Sequence, residues 1–289
     1  MTSVADHTAN WGILRPKKAG RRSLGSAPAP KGANQMKEPK AMAYVNMYGV
    51  LGTLENLCSL DEAAKKILSG LKKPVSLCFQ VKDGPCCTFH FTQEGCRMTE
   101  GDAGCTCKMS FSSPEKFNAL IDENKPGLPG KNPVQLLPFL LGPFTQLTNR
   151  LTELLRPSEA ALQDRAFFEK STVLTMYTIA GAISALANTD SISQISASYT
   201  VDGEVSLGIR DVAQVTISVR DHHFTTVKAP AEHPRAVMEF ATIDLAYGLF
   251  TGQVSTINEM CKGTIHLQGM LSMVDNINRI LNRVSAYLS

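Results

Sequence analysis

The sequence predicts an α+β protein of two tandem antiparallel-sheet domains, each covered by helices around an apolar core or tunnel. Three observations carry the prediction. Apolar residues switch from helical spacing to strict alternation and back, twice along the chain. Short segments recur at offsets of 129 and 133 residues. The length, 289 residues, suffices for two ordinary cores without disulfides or a structural metal. The boundaries read from these signals are a basic disordered tail over 1–40, a first domain over 41–157, a linker over 158–171 and a second domain over 172–289.

Leu54, Leu57, Cys58, Ala63, Ala64, Ile67, Leu68 and Leu71 share a helical stripe, with Ser59 or Asp61 as a cap where the helix restarts. The period then becomes two. Val75, Leu77, Phe79 and Val81 alternate, then Cys87, Phe89 and Phe91, then Cys105, Cys107, Met109 and Phe111, with turn residues between the runs. Ser113-Pro114-Glu115 opens a helix carrying Phe117, Leu120 and Ile121, which ends near Pro126. Phe144, Leu147, Leu151, Leu154 and Leu155 form the stripe of a further helix.

The second half repeats the order. A helix over Val173 to Ala187 leads to alternation at Ile195, Ala197, Tyr199 and Val201, then Val205, Leu207 and Ile209, then Val215, Ile217 and Val219. Strands follow at 223–229 and 236–240, then a helix around Thr242 to Phe250, a strand over Gly263 to Gly269, and a final helix with Met270, Val274, Ile277, Leu281, Val284 and Leu288 on one face. Met109, Phe111 and Leu120 recur as Met238, Phe240 and Leu249, and Asn149-Arg150 recurs as Asn282-Arg283. Two diverged copies of one fold explain both the order and the letters.

The net charge of +3 conceals a split: eight Lys/Arg against two Asp/Glu in residues 1–40, and 21 against 24 thereafter. The body is mildly acidic, so a general nucleic-acid surface is not expected. The basic cluster Lys17, Lys18, Arg21 and Arg22 suits transient contact with an anionic membrane surface. The uncharged runs 132–149 and 171–189 are too broken by proline, glycine and polar residues to read as membrane spans. No secretory signal is read, so the expectation is a cytoplasmic protein with reduced thiols.

Six of the eight cysteines fall between positions 78 and 107. Their adjacent and alternate spacing does not match a zinc knuckle. On strands, Cys86 and Cys87 face opposite ways, so buried reduced thiols are expected, with a metal or redox role as the alternative. His222-His223 reads as a solvated loop end, and His90 and His266 as exposed strand positions. Phosphate-loop, nucleophile-elbow and zincin patterns are lacking, so no enzyme and no cofactor are expected.

Val81-Lys82-Asp83-Gly84-Pro85, Leu249-Phe250-Thr251-Gly252 and Cys261-Lys262-Gly263-Thr264-Ile265-His266-Leu267-Gln268-Gly269 before a C-terminal helix resemble the sterol carrier protein type 2 family. The resemblance covers most of 172–289 and, more faintly, 56–155. The first copy departs at Gly130-Lys131-Asn132-Pro133, where the second has its last strand. The resemblance implies noncovalent binding or transfer of an apolar ligand of the sterol, fatty acid or acyl-CoA class. With the apolar faces, it implies a lining of Phe240, Leu245, Leu249, Phe250, Ile265, Leu267, Met270, Met273 and Ile277. The alternatives are a cysteine-based metal or redox accessory protein, or an interaction module with solid cores.

Overall fold

A computed structural model describes residues 37–123, 138–254 and 256–288. Of the tail expected over 1–40, residues 1–36 lie outside these residues, as do the helix end near Pro126 and the departure at Gly130 to Pro133. Lys37 to Lys40 are not tail: Pro39 begins α1 (Pro39–Tyr44) at the first helical position, where its missing N–H costs nothing. Lys37 Nζ donates to the Tyr287 carbonyl at 3.1 Å and the Glu38 N–H to the Tyr287 hydroxyl at 2.9 Å.

From α1 the chain continues through a π-helical turn (Val45–Val50) and a 3-10 turn (Leu51–Thr53) into α2 (Leu54–Leu60). Asp61 stops this run by turning extended, and its carboxylate accepts the Ala64 N–H to start α3 (Glu62–Ser69). The expected restart at Asp61 is thus observed. Strands β1 (Val75–Val81), β2 (Cys86–Phe91), β3 (Cys96–Glu100) and β4 (Cys107–Phe111) form a sheet in the order β3-β2-β1-β4. It is not wholly antiparallel: β4 pairs parallel to β1. After the meander β1-β2-β3 the chain recrosses the outer face of the sheet and enters beside β1 from the same end. Cys105 belongs to that crossover, not to a strand. Helix α4 (Pro114–Glu123) follows, then a π-helical turn (Leu140–Phe144) and α5 (Thr145–Leu155).

Helix α6 (Arg165–Thr189) is capped by Asp164 and begins inside the stretch expected as linker. It is buried on nearly every side, because it lies between two cores and packs on both. Asp190 turns extended, ends α6 and caps α7 (Ser191–Ser198) through the Ser193 N–H at 2.9 Å. The strand expected over Ile195 to Val201 is therefore a helix and its exit. Ile195 and Tyr199 are exposed, at 61% and 76%, so their alternation reflects no buried face. Strands β5 (Gly203–Ile209), β6 (Ala213–Arg220), β7 (His223–Val227), β8 (Ala236–Phe240) and β9 (Ile265–Gly269) form a sheet ordered β7-β6-β5-β8-β9. Again one pair, β5 with β8, is parallel. Helices α8 (Ile243–Phe250) and α9 (Thr256–Cys261) connect β8 to β9, and α10 (Leu271–Leu288) closes the fold.

The two sheets share the order 3-2-1-4 and the position of their parallel pair. Phe79 faces Met109 and Val81 faces Phe111 in the first, as Leu207 faces Met238 and Ile209 faces Phe240 in the second. Each sheet has its own core, yet the helices are shared. Ala41 and Val45 join the second core, while Leu174 joins the first. The helical runs cross where glycine permits backbone contact: a Cβ on Gly181 would lie 2.7 Å from the Tyr48 carbonyl oxygen and 2.9 Å from the Gly49 Cα.

Candidate functional site

Eight of the nine residues that the sequence singles out belong to the second core or pack against it. Thr242 caps α8 by accepting the Leu245 N–H at 3.2 Å. Arg165 of α6 grips Asp244 through Nη1–Oδ1 at 2.7 Å and Nη2–Oδ2 at 3.0 Å, and this hydrogen bonding holds the Asp244 carboxyl below the usual carboxylate range. Phe168 packs on Tyr247 with ring centroids 5.0 Å apart, tying the same helix to α6. Burial pushes the Tyr247 hydroxyl upward. On the other side, Glu259 accepts from Thr264 Oγ1 at 2.7 Å and from Lys262 Nζ at 2.7 Å, which fixes the turn into β9.

Phe240 on β8, Ile265 on β9, and Met273 and Ile277 on α10 are buried in the second core. Leu245, Leu249, Phe250 and Leu267 pack against that core but remain half-buried. Phe240 and Phe250 meet edge to face at 5.5 Å. Met270 lies apart from this cluster, 37% exposed at the start of α10. Leu271 and Met260, which the sequence did not place in the lining, are 60% and 45% exposed. Helical periodicity gives a stripe but not whether anything covers it, so no pattern marks these two.

The halves differ at this point. The residues matching Leu249 and Phe250 at the 129-residue offset are Leu120 and Ile121 on α4, which are 2% and 1% exposed. In the first sheet this corner is closed by aromatic packing, with Phe79, Phe111 and Phe117 in mutual contact at 5.2 to 6.5 Å. In the second, Ala246 stands at the position of Phe117 and is fully buried, and the aromatic pair there is Phe240 with Phe250.

The other candidate chemistry is quieter. His222 and His223 are exposed beside a groove of about 310 Å³ that Asn188, Gln194 and Asp221 also line. His90 is half-buried rather than exposed. Its ring nitrogens meet Ser76 Oγ at 2.8 Å and Thr99 Oγ1 at 2.9 Å, a ladder across three strands. Among the described residues no group of three or more His, Cys, Asp or Glu is placed to hold a metal ion. Among them, too, no helix is long and apolar enough to cross a membrane.

No family model and no curated protein matches the chain. Among solved structures it is similar to sterol carrier protein domain 2 of Helicoverpa armigera, at 13% identity and TM-score 0.32, over 39% of this chain and 89% of the other. It is also similar to a sterol carrier protein 2, at 14% identity and TM-score 0.29 over 38% and 92% of the two chains. A sterol carrier protein 2-like protein from Aedes aegypti follows at 12% and 0.27, over 36% and 94%.

Proposed function

We propose that the protein is a noncovalent binder or carrier of an apolar ligand of the sterol, fatty acid or acyl-CoA class, acting without turnover. In this reading it is built from two diverged copies of one domain, and the second copy holds the ligand. The observation that carries the reading is the half-buried state of Leu245, Leu249, Phe250 and Leu267 against a closed core, where the matching residues Leu120 and Ile121 are sealed. Half-covered aliphatic and aromatic groups are the surface an apolar chain would complete. The shared strand order and parallel pair support the duplication. The basic segment around Lys17 to Arg22 would bring the carrier to anionic lipid surfaces.

The test is native mass spectrometry of the purified full-length protein, joined to titration with a fluorescent fatty acid, an acyl-CoA and a sterol. Co-purifying lipid or saturable uptake supports the reading. No uptake of any of the three sinks it.

A further inference from the structure

The outer face of the first sheet holds a thiol pair that ligand binding leaves unused. Leu77 and Phe79 turn into the core, so Cys78 between them turns outward, and on β2 Cys87 and Phe89 turn in while Cys86 turns out. Cys78 and Cys86 lie diagonally across β1 and β2, with Sγ atoms 3.9 Å apart. The crossover from β3 to β4 lies over them. It is pinned by the Gly101 N–H to the Cys86 carbonyl at 2.9 Å, by Thr88 Oγ1 to the Gly101 carbonyl at 2.8 Å, and by Thr106 to the Ser76 carbonyl. Cys78 is fully buried beneath it, whereas Cys86 keeps partial exposure.

The fold does not require thiols here. In the matching register of the second sheet the pairs Cys78↔Thr88 and Gln80↔Cys86 become Ser206↔Thr216 and Gly208↔Gln214. The first sheet alone places sulfur at both diagonal positions, and adds Cys105 in the overlying crossover.

We propose that Cys78 and Cys86 form a reversible dithiol–disulfide pair that oxidised glutathione closes, with Cys86 as the attacking thiol and Cys78 as the resolving one. Cys86, as thiolate, attacks one sulfur of glutathione disulfide, forming a mixed disulfide and releasing one glutathione. Cys78 then loses its proton to solvent and attacks the Cys86 sulfur, expelling the second glutathione. Two thiols are oxidised to one disulfide, and glutathione disulfide is reduced to two thiols. The burial that hides Cys78 also pushes its thiol up to about 12, so resolution accelerates as pH rises. Lys108, held by Asp102 at 2.7 Å, lies in the field of both sulfurs.

The experiment exposes the full-length folded protein to oxidised glutathione, quenches by alkylation and maps the thiols by mass spectrometry. The expected result is joint loss of the Cys78 and Cys86 thiols as a Cys78–Cys86 disulfide, faster at higher pH. Cys78→Ser places in the first sheet the residue the second already carries, and should leave a persistent glutathione adduct on Cys86. A wild-type protein in which Cys78 stays reduced, or in which the Cys86 adduct persists or pairs with another cysteine, overturns the proposal.

Discussion

Arg283 closes on Asp190 with Nη2–Oδ1 at 2.8 Å and Nε–Oδ2 at 3.2 Å, both side chains almost entirely out of solvent. Asp190 is also the cap of α7 and accepts the Tyr287 hydroxyl at 2.8 Å, so one carboxylate joins the break after α6 to the last helix. The first half does the same with Asp61 and Arg150, through Nε–Oδ2 at 3.0 Å and Nη2–Oδ1 at 3.0 Å. Removing one partner from a buried pair strands the other charge, which costs about 3–5 kcal/mol. Arg283→Leu should lose that much in urea denaturation. Arg150→Leu should lose clearly less, because Arg150 is 23% exposed and Lys170 Nζ still reaches Asp61 at 3.2 Å. Equal losses would mean that the two clasps do not differ in burial as described.

The Asp190 clasp also sets an acid limit. Burial alone would raise its carboxyl, but hydrogen bonds from Arg283, Tyr287 and Ser193 outweigh that and hold it at about 2. A carboxyl lowered on folding stabilises the native state above its unfolded value near 4, and that contribution fades as pH falls from about 4 through about 2. The contribution at neutral pH is on the order of 2 kcal/mol. Urea midpoints taken between pH 7 and pH 2 should fall steeply at the acid end. Asp190→Asn should be less stable at neutral pH but flatter across that window. An unchanged acid slope in Asp190→Asn would remove Asp190 as its source.

Gly181 is where the two halves touch backbone to backbone. With a Cβ only 2.7 Å from the Tyr48 carbonyl oxygen, Gly181→Ala must push α6 away from the π-helical turn at Val45–Val50. Because α6 serves both cores, the shift should loosen both, at about 1–3 kcal/mol. Gly95→Ala, whose Cβ would meet nothing within 4 Å, serves as control and should change thermal stability little. Hydrogen exchange should show Gly181→Ala weakening protection in both sheets; an effect confined to the second would contradict the shared role of α6.

The recurring letters led to these relationships only in part. Asn149-Arg150 and Asn282-Arg283 are visible as a repeat in the sequence, and Asp61 as a cap, but nothing local says that each arginine reaches an aspartate 89 or 93 residues away. Alternation marks β1, β2, β4, β5 and β6 correctly because at least one face of each is buried, and it passes over β3, whose residues are all half-buried or exposed. It misreads Ile195 to Val201, a helix and its exit, where Ile195, Tyr199 and Val201 are exposed and Ala197 is buried. The parallel seat of β4 and β8 is set by a crossover over the far face, which no short-range period encodes. For the candidate site, the apolar stripes identify the elements that converge. What they do not carry is that Leu249 and Phe250 are half-buried where Leu120 and Ile121 are sealed.

That difference makes Leu249 the discriminating position for ligand uptake. Met273 is buried to 1% exposure, so Met273→Trp tests packing as well as binding. Leu249 is half-buried on α8, so a larger ring there is less confined than one at Met273. If an apolar chain completes this surface, Leu249→Trp should weaken fatty acid binding about ten-fold, or roughly 1.4 kcal/mol, with thermal stability nearly unchanged. Leu120→Trp in the sealed corner of the first half should do the reverse, costing about 1–3 kcal/mol of stability while the folded fraction binds as before. Both constants come from one fluorescence titration and one melt per variant. Binding that survives Leu249→Trp intact would place the ligand elsewhere.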